Sequence, residues 1–227
     1  FQRETDGYSN HRKQQHLLNR QTGKGVAFSG GKYAPVADTA VGQAPQASAV
    51  YMELPRNHEW KINLDRFLPD EGLMRVSMRA ARSTKDVPGD ICLRLGFSAH
   101  TSNNANFSNV ISERDLPVTA PANRPEFIHF DIQLGDIQRN PFRKLTTTFP
   151  RRDEFLHIRN VSLANGLHVQ FDHVEITVPF YEQWPPKTHT AIFFESQNNG
   201  NAEVYAREVL ERFMWRAWRR PVTKPEV

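Results

Sequence analysis

His168-Val169-Gln170-Phe171-Asp172-His173-Val174-Glu175-Ile176-Thr177-Val178 reads as a strand, and it stops at Pro179. Proline carries no N–H for a ladder bond, so pairing ends there. Beyond it the chain passes through Trp184-Pro185-Pro186 and re-emerges at 203–220 with helical periodicity. Before this crossing the pattern is β; after it, α.

Upstream, apolar residues alternate with polar ones, the mark of strands with one buried face. Met74, Val76, Met78 and Ala80 fall on one side, and Arg75, Ser77 and Arg79 on the other. Ile91, Leu93, Leu95 and Phe97 repeat the pattern and leave Cys92 on the polar face or under a loop. Ile128, Phe130, Ile132 and Leu134 alternate with His129, Asp131 and Gln133. Shorter runs at 50–54, 59–64, 155–159 and 169–178 bring the set to seven or eight strands. Turn-rich pieces such as Val87-Pro88-Gly89-Asp90 and Ala164-Asn165-Gly166 separate them. No helical pattern intervenes, so the expected fold is mainly β, an antiparallel sandwich of two sheets with a C-terminal amphipathic helix.

The expected organisation is an irregular N-terminal segment at 1–48, the sandwich at 49–180, a Pro/Asn-rich linker at 181–200 and the start of a following helical domain at 201–227. In the helix, Val204, Tyr205, Val209, Leu210, Phe213, Met214, Ala217 and Trp218 form one apolar stripe. Asn201 stands at the N-cap, and Glu203/Arg207 and Glu208/Arg212 have i,i+4 spacing. The stripe calls for a partner, expected to be a helix beyond Val227. The chain has 227 residues and starts at Phe1 without an initiator methionine, so it is expected to be a piece of a longer polypeptide.

The formal net charge is +4, with the basic residues dispersed, which argues against nucleic acid. One cysteine excludes an internal disulfide, a cysteine-based zinc site and a Cys-x-x-Cys-His haem attachment. No apolar run approaches the roughly 20 residues that a bilayer demands. There is no Gly-x-Ser-x-Gly elbow, phosphate loop or His-Glu-x-x-His, and no nucleophile, base and orienter can be assembled from spacing, so no enzyme is expected. For the single histidines in strand-like contexts, a satisfied or surface side chain outweighs a metal ligand.

Two sets of candidates remain. Trp60, Tyr33, Phe107 and Trp184 are aromatics able to stack on sugar rings, although core packing is the stronger reading for Trp60. The basic stretch 139–152, including Arg143, is an alternative contact for an anionic polymer. Glu53 on the first strand and Asp172 on the last are candidate calcium ligands, with Asp90 and Glu175 in reserve, against the alternative of surface carboxylates that never meet.

Ala202-Glu203-Val204-Tyr205-Ala206-Arg207-Glu208-Val209-Leu210-Glu211-Arg212-Phe213 and the ending Arg219-Arg220-Pro221-Val222-Thr223 resemble the opening helix of a domain of unknown function in large planctomycete multi-domain proteins. Phe171 to Ile176 and Trp184-Pro185-Pro186 also resemble that family, in which a sandwich similar to carbohydrate-binding modules, of the galactose-binding-like jelly-roll type, precedes the helical domain. The resemblance implies an exported or periplasmic setting, partner domains in the same chain, polysaccharide as a ligand and haem c elsewhere in the parent protein. In calcium-binding modules of similar families, acids on the first and last strands hold the ion, an arrangement that Glu53 and Asp172 approximate. A structural spacer without its own ligand is the competing expectation.

Overall fold

The computed structural model describes residues 16–25, 50–65, 68–83, 87–102, 104–147 and 149–227. Two compact units are present, Phe1–Phe180 and Tyr181–Val227.

In the first unit, β1 (His16–Asn19), β2 (Val50–Leu54), β10 (Val169–Thr177), β4 (Leu73–Arg82) and β8 (Glu126–Gln133) form one antiparallel sheet in that order. The second sheet runs β3 (Glu59–Asp65), β9 (Glu154–Asn160), β5 (Cys92–Ala99) and β6 (Phe107–Val110), with β7 (Leu116–Pro117) also pairing β5. The expected mainly β, antiparallel sandwich is what the chain builds. Alternation decides which side chains meet between the sheets: Met52, Leu54, Val76, Met78, Phe130, Val169 and Phe171 from one, Trp60, Ile62, Leu93, Leu95, Phe97, Leu156 and Ile158 from the other. Burying these apolar faces drives the fold. Buried Asn160 joins the layers, its Nδ2 donating to the carbonyls of Leu54 (3.0 Å) and Leu167 (2.9 Å).

The Ala164-Asn165-Gly166 turn forms because Gly166 takes φ +80°, where a Cβ would also sit 3.2 Å from Val87 Cγ2. A β-bulge falls in β10: Phe171 faces Ala80, and His173, rather than Asp172, faces Arg79. Inward residues are therefore 169 and 171 before the bulge and 174 and 176 after it, which leaves both Asp172 and His173 on the outer face.

Residues 1–48 are not uniformly irregular. β1 lies among them and pairs with β2, and Leu17 packs against the core. Four residues are too few to show a period in so polar a stretch. Likewise 181–200 contains a short helix, α1 (Lys187–Ile192), following Pro186.

The second unit adds α2 (Ala202–Trp218). Asn201 caps it, its side chain accepting from the Val204 N–H at 3.2 Å, and Arg219 ends it in the left-handed region at φ 54°. Arg207 and Glu203 pair at 3.3 Å. Glu208 instead accepts from Ser196 Oγ and Asn198 Nδ2, both at 2.5 Å, which ties the preceding turn to α2. Val209 is buried, while Leu210, Phe213, Trp215 and Trp218 stay exposed. Among the described residues no helix is long and apolar enough to cross a membrane.

Candidate functional site

The outer face of the first sheet carries an ordered array. Strand register sets three rows across β10, β4 and β8: His173, Arg79 and Phe127; Glu175, Ser77 and His129; Thr177, Arg75 and Asp131. On β4 and β8 each residue is out of phase with the core-facing set, so alternation sends it outward, and on β10 the bulge shifts residues 173, 175 and 177 into the outward phase. Strands about 4.8 Å apart and same-face residues about 6.8 Å apart make a surface on the scale of a sugar ring.

Phe127 is the apolar centre, 38% exposed although it is a large hydrophobe. Its ring stacks on His129 (centroids 6.2 Å, 6° between planes) and meets His173 edge-on (5.9 Å, 75°). The Arg79 guanidinium lies 5.8 Å from the ring centroid. Around the ring the polar groups are held in place. Arg75 makes a bidentate pair with Asp131 at 2.7 and 2.6 Å, and its guanidinium lies 3.8 Å from the Phe180 centroid. That guanidinium holds the Asp131 carboxyl below its ordinary range. His129 Nδ1 lies 2.9 Å from Ser77 Oγ.

Asp172 is buried and binds two guanidinium groups, Arg79 Nε to Oδ1 at 2.5 Å and Arg20 Nη2 to Oδ2 at 3.0 Å. Glu53 lies on the same face, where Gln170 is its register partner, and faces His168 Nδ1 at 3.0 Å. The two candidate calcium ligands thus sit on adjacent strands but already have partners in the chain, two guanidinium groups for Asp172 and the His168 imidazole for Glu53. A calcium ion would have to displace two guanidinium groups from Asp172, and among the described residues no three His, Cys, Asp or Glu side chains are grouped to hold a metal. This donor set does not fit calcium.

The other sequence candidates fall elsewhere. Trp60 is 1% exposed and packs on Phe171 with centroids 6.5 Å apart, so it is a core residue and not a sugar platform. Its phase, shared with Ile62, sends it inward. Tyr33 lies outside the described residues. Trp184 is 75% exposed beside Tyr181 (centroids 5.4 Å), but it belongs to the second unit. Phe107, on β6, is partly buried against the core. Arg143 is engaged by Asp70 at 2.8 Å and by the Asn140 carbonyl at 3.1 Å; Lys144 pairs with the same carboxylate. Lys144 and Arg143 hold the Asp70 carboxyl at about 2. Arg139 and Arg151 are likewise paired, with Glu154 and Asp153. The basic stretch is spent on shaping its own loop. Burial pushes the Cys92 thiol up, away from thiolate chemistry.

Phe127 escaped the sequence reading, yet its signal was present. It is an aromatic on the polar phase of a strand whose apolar phase is Ile128, Phe130 and Ile132.

On the outer face of the second sheet, Ser98 Oγ lies 2.7 Å from His157 Nε2, and His157 Nδ1 lies 3.2 Å from Glu59 Oε2. This corrects the expectation that no nucleophile, base and orienter come together. Ser98 is nevertheless only 2% exposed, and it lies on a central strand paired on both sides, so the hydroxyl is not presented to a substrate. Beside it, Lys61 Nζ contacts His100 Nε2 at 2.9 Å and lies 4.3 Å from the Phe155 centroid. An ammonium only donates, so His100 Nε2 accepts and the ring is neutral.

Burial, then Lys61, Arg151 and His157, push the His100 pKa down, against Asp153. Below an unfolded-state value near 6.5 the unfolded chain binds the proton more readily, so stability falls as pH drops from about 6.5 through the folded value. His100→Gln is expected to flatten that part of the stability profile. Urea titrations at pH 7.5 and 5.5 check it: an unchanged difference between wild type and variant would refute the assignment.

No protein-family model matches the chain, and no curated protein matches it. Solved structures give distant likenesses. The CBM22-1 xylan-binding domain from Paenibacillus barcinonensis Xyn10C is 11% identical with a TM-score of 0.36, over 71% of this chain and 90% of that one. A CBM4 structure is 10% identical with a TM-score of 0.35, over 73% and 94%. The C-terminal family 22 carbohydrate binding module of Clostridium thermocellum Xyn10B is 9% identical with a TM-score of 0.34, over 77% and 90%. Likenesses this remote carry no functional argument, which rests on the chain's own geometry.

Proposed function

We propose that the first unit is a non-catalytic glycan-binding module whose platform is the outer face of the β10, β4 and β8 strands. One observation carries this reading: Phe127 stands exposed in register with Arg79 and His173, framed by the fixed Arg75–Asp131 fork. A pyranose offers a C–H face to the Phe127 ring and hydroxyls to the adjoining Ser77–His129 row, a further unit reaches the fork two rows along β8, and preorganised polar groups lower the cost of binding. The arginines are matched by carboxylates across the face, which suits a neutral sugar better than an anionic polymer. Electrophoresis of the whole chain through gels containing xylan, β-glucan, mannan or galactan tests it. Retardation by at least one polysaccharide, little changed by salt, is expected; migration unaltered in all four would refute the proposal.

For the second unit a docking role is favoured by one specific feature, the exposed Phe213, Trp215 and Trp218 along α2. An exported parent protein with haem c domains is the setting we propose, supported by the resemblance of residues 202–223.

A further inference from the structure

Around the β8 edge the sheet face leads into a groove of about 610 Å3. Its walls are β8 with the segment following it and β6 with the segment following it, the edge strands of the two sheets. Asp131, in the third row of the platform, also lines this groove. Platform and groove are therefore continuous along β8, from Phe127 to Gln133. Six residue steps of an extended strand cover about 20 Å, well beyond one sugar ring.

The chemistry of the lining narrows the occupant. Exposed Asn109, Gln133 and Gln138 bring amide groups that both donate and accept, and Asn109 Nδ2 donates to Gln138 Oε1 at 3.1 Å, fixing both. Glu113 and Asp136 add acceptors and form no ion pair among the described residues. Val110, 60% exposed, supplies an apolar patch. A cationic side chain asks only for acceptors. A sugar hydroxyl uses both donors and acceptors, and the C–H face of the ring uses the valine.

We infer that this groove is a second subsite for the same glycan, so that the ligand is a run of several neutral sugar units lying along β8 rather than a single terminal sugar. The inference rests on the glycan-binding reading of the sheet face.

Isothermal titration of the whole chain with di- and hexasaccharides of the gluco, xylo, manno and galacto series tests it. At least one hexasaccharide is expected to bind about tenfold or more tighter than its disaccharide. The Asn109→Ala, Gln133→Ala, Gln138→Ala triple variant, its folding checked by melting temperature, is expected to lose that advantage while keeping disaccharide affinity. Equal affinity for both lengths in the wild type would overturn the groove, as would an advantage that survives in the triple variant. An eight-residue peptide of alternating arginine and valine is the competing probe. If it binds, Glu113→Gln with Asp136→Asn abolishes that binding, and no hexasaccharide shows a length advantage, then the groove is a peptide site and the inference falls. Phe127→Ala separates the two layers. Disaccharide binding unchanged in that variant sinks the platform reading, whereas loss of the length advantage alone in the triple variant supports the groove. No binding of any oligosaccharide overturns both.

Discussion

Replacing Arg139 with alanine is expected to lower the melting temperature of the sandwich by about 10 °C, corresponding to a loss of about 3–5 kcal/mol. Glu154, at the start of β9, is 0% exposed and receives Arg139 Nε at 2.9 Å and Nη2 at 2.6 Å, together with the Asn140 N–H at 2.8 Å. The same guanidinium donates to the carbonyls of Pro69 (2.5 Å) and Leu68 (3.2 Å). Truncation leaves a buried carboxylate without its cation and two carbonyls without a donor. Buried pairs are costly to break and cheap to replace as a whole. Arg139→Met combined with Glu154→Leu is therefore expected to recover much of the loss. Chemical denaturation of the wild type, both single variants and the double variant makes a thermodynamic cycle. A cost below about 1 kcal/mol for Arg139→Ala would show that water reaches Glu154 and that this ion pair does not hold the loop.

Phe127→Ala is expected to weaken glycan binding about tenfold or more, enough to abolish retardation in an affinity gel, while changing stability by less than about 1 kcal/mol. The ring lies on the outer face of an edge strand, so its removal opens no cavity between the sheets. What disappears is the apolar surface flanked by His129, His173 and Arg79. Phe127→Tyr keeps the ring and is expected to keep binding. A wild-type affinity in the alanine variant would mean that sugar does not stack there. A large fall in melting temperature would mean instead that Phe127 supports the sheet, and the affinity loss would then say nothing specific about recognition.

The two-sheet fold follows from residue order alone, because side-chain period follows strand geometry whatever the partners are. Met74, Val76 and Met78 had to share a face, and so did Leu93, Leu95 and Phe97. Residue order also determined the helix cap at Asn201, which depends only on residues three apart. The inward phase of Trp60 was equally legible, although its chemistry made it a tempting ligand-binding residue. Strand β1 was not legible, since a four-residue strand has no measurable period and joins the sheet through its pairing with β2.

The functional surface belonged to tertiary structure. Phe127, Arg79 and His173 are far apart in the chain and fall into one row only through the order β10, β4, β8 and its register. The bulge after Phe171 sets the same row, because one extra residue turns Asp172 and His173 both outward and brings Asp172 to Arg79 and Arg20. Nonlocal packing likewise decides what Arg143 and Lys144 do, because their shared carboxylate, Asp70, arrives from a distant segment of the chain. Side-chain direction is a local property of the backbone; which side chains become neighbours is set by strand order and register, and those exist only once the sheets have closed.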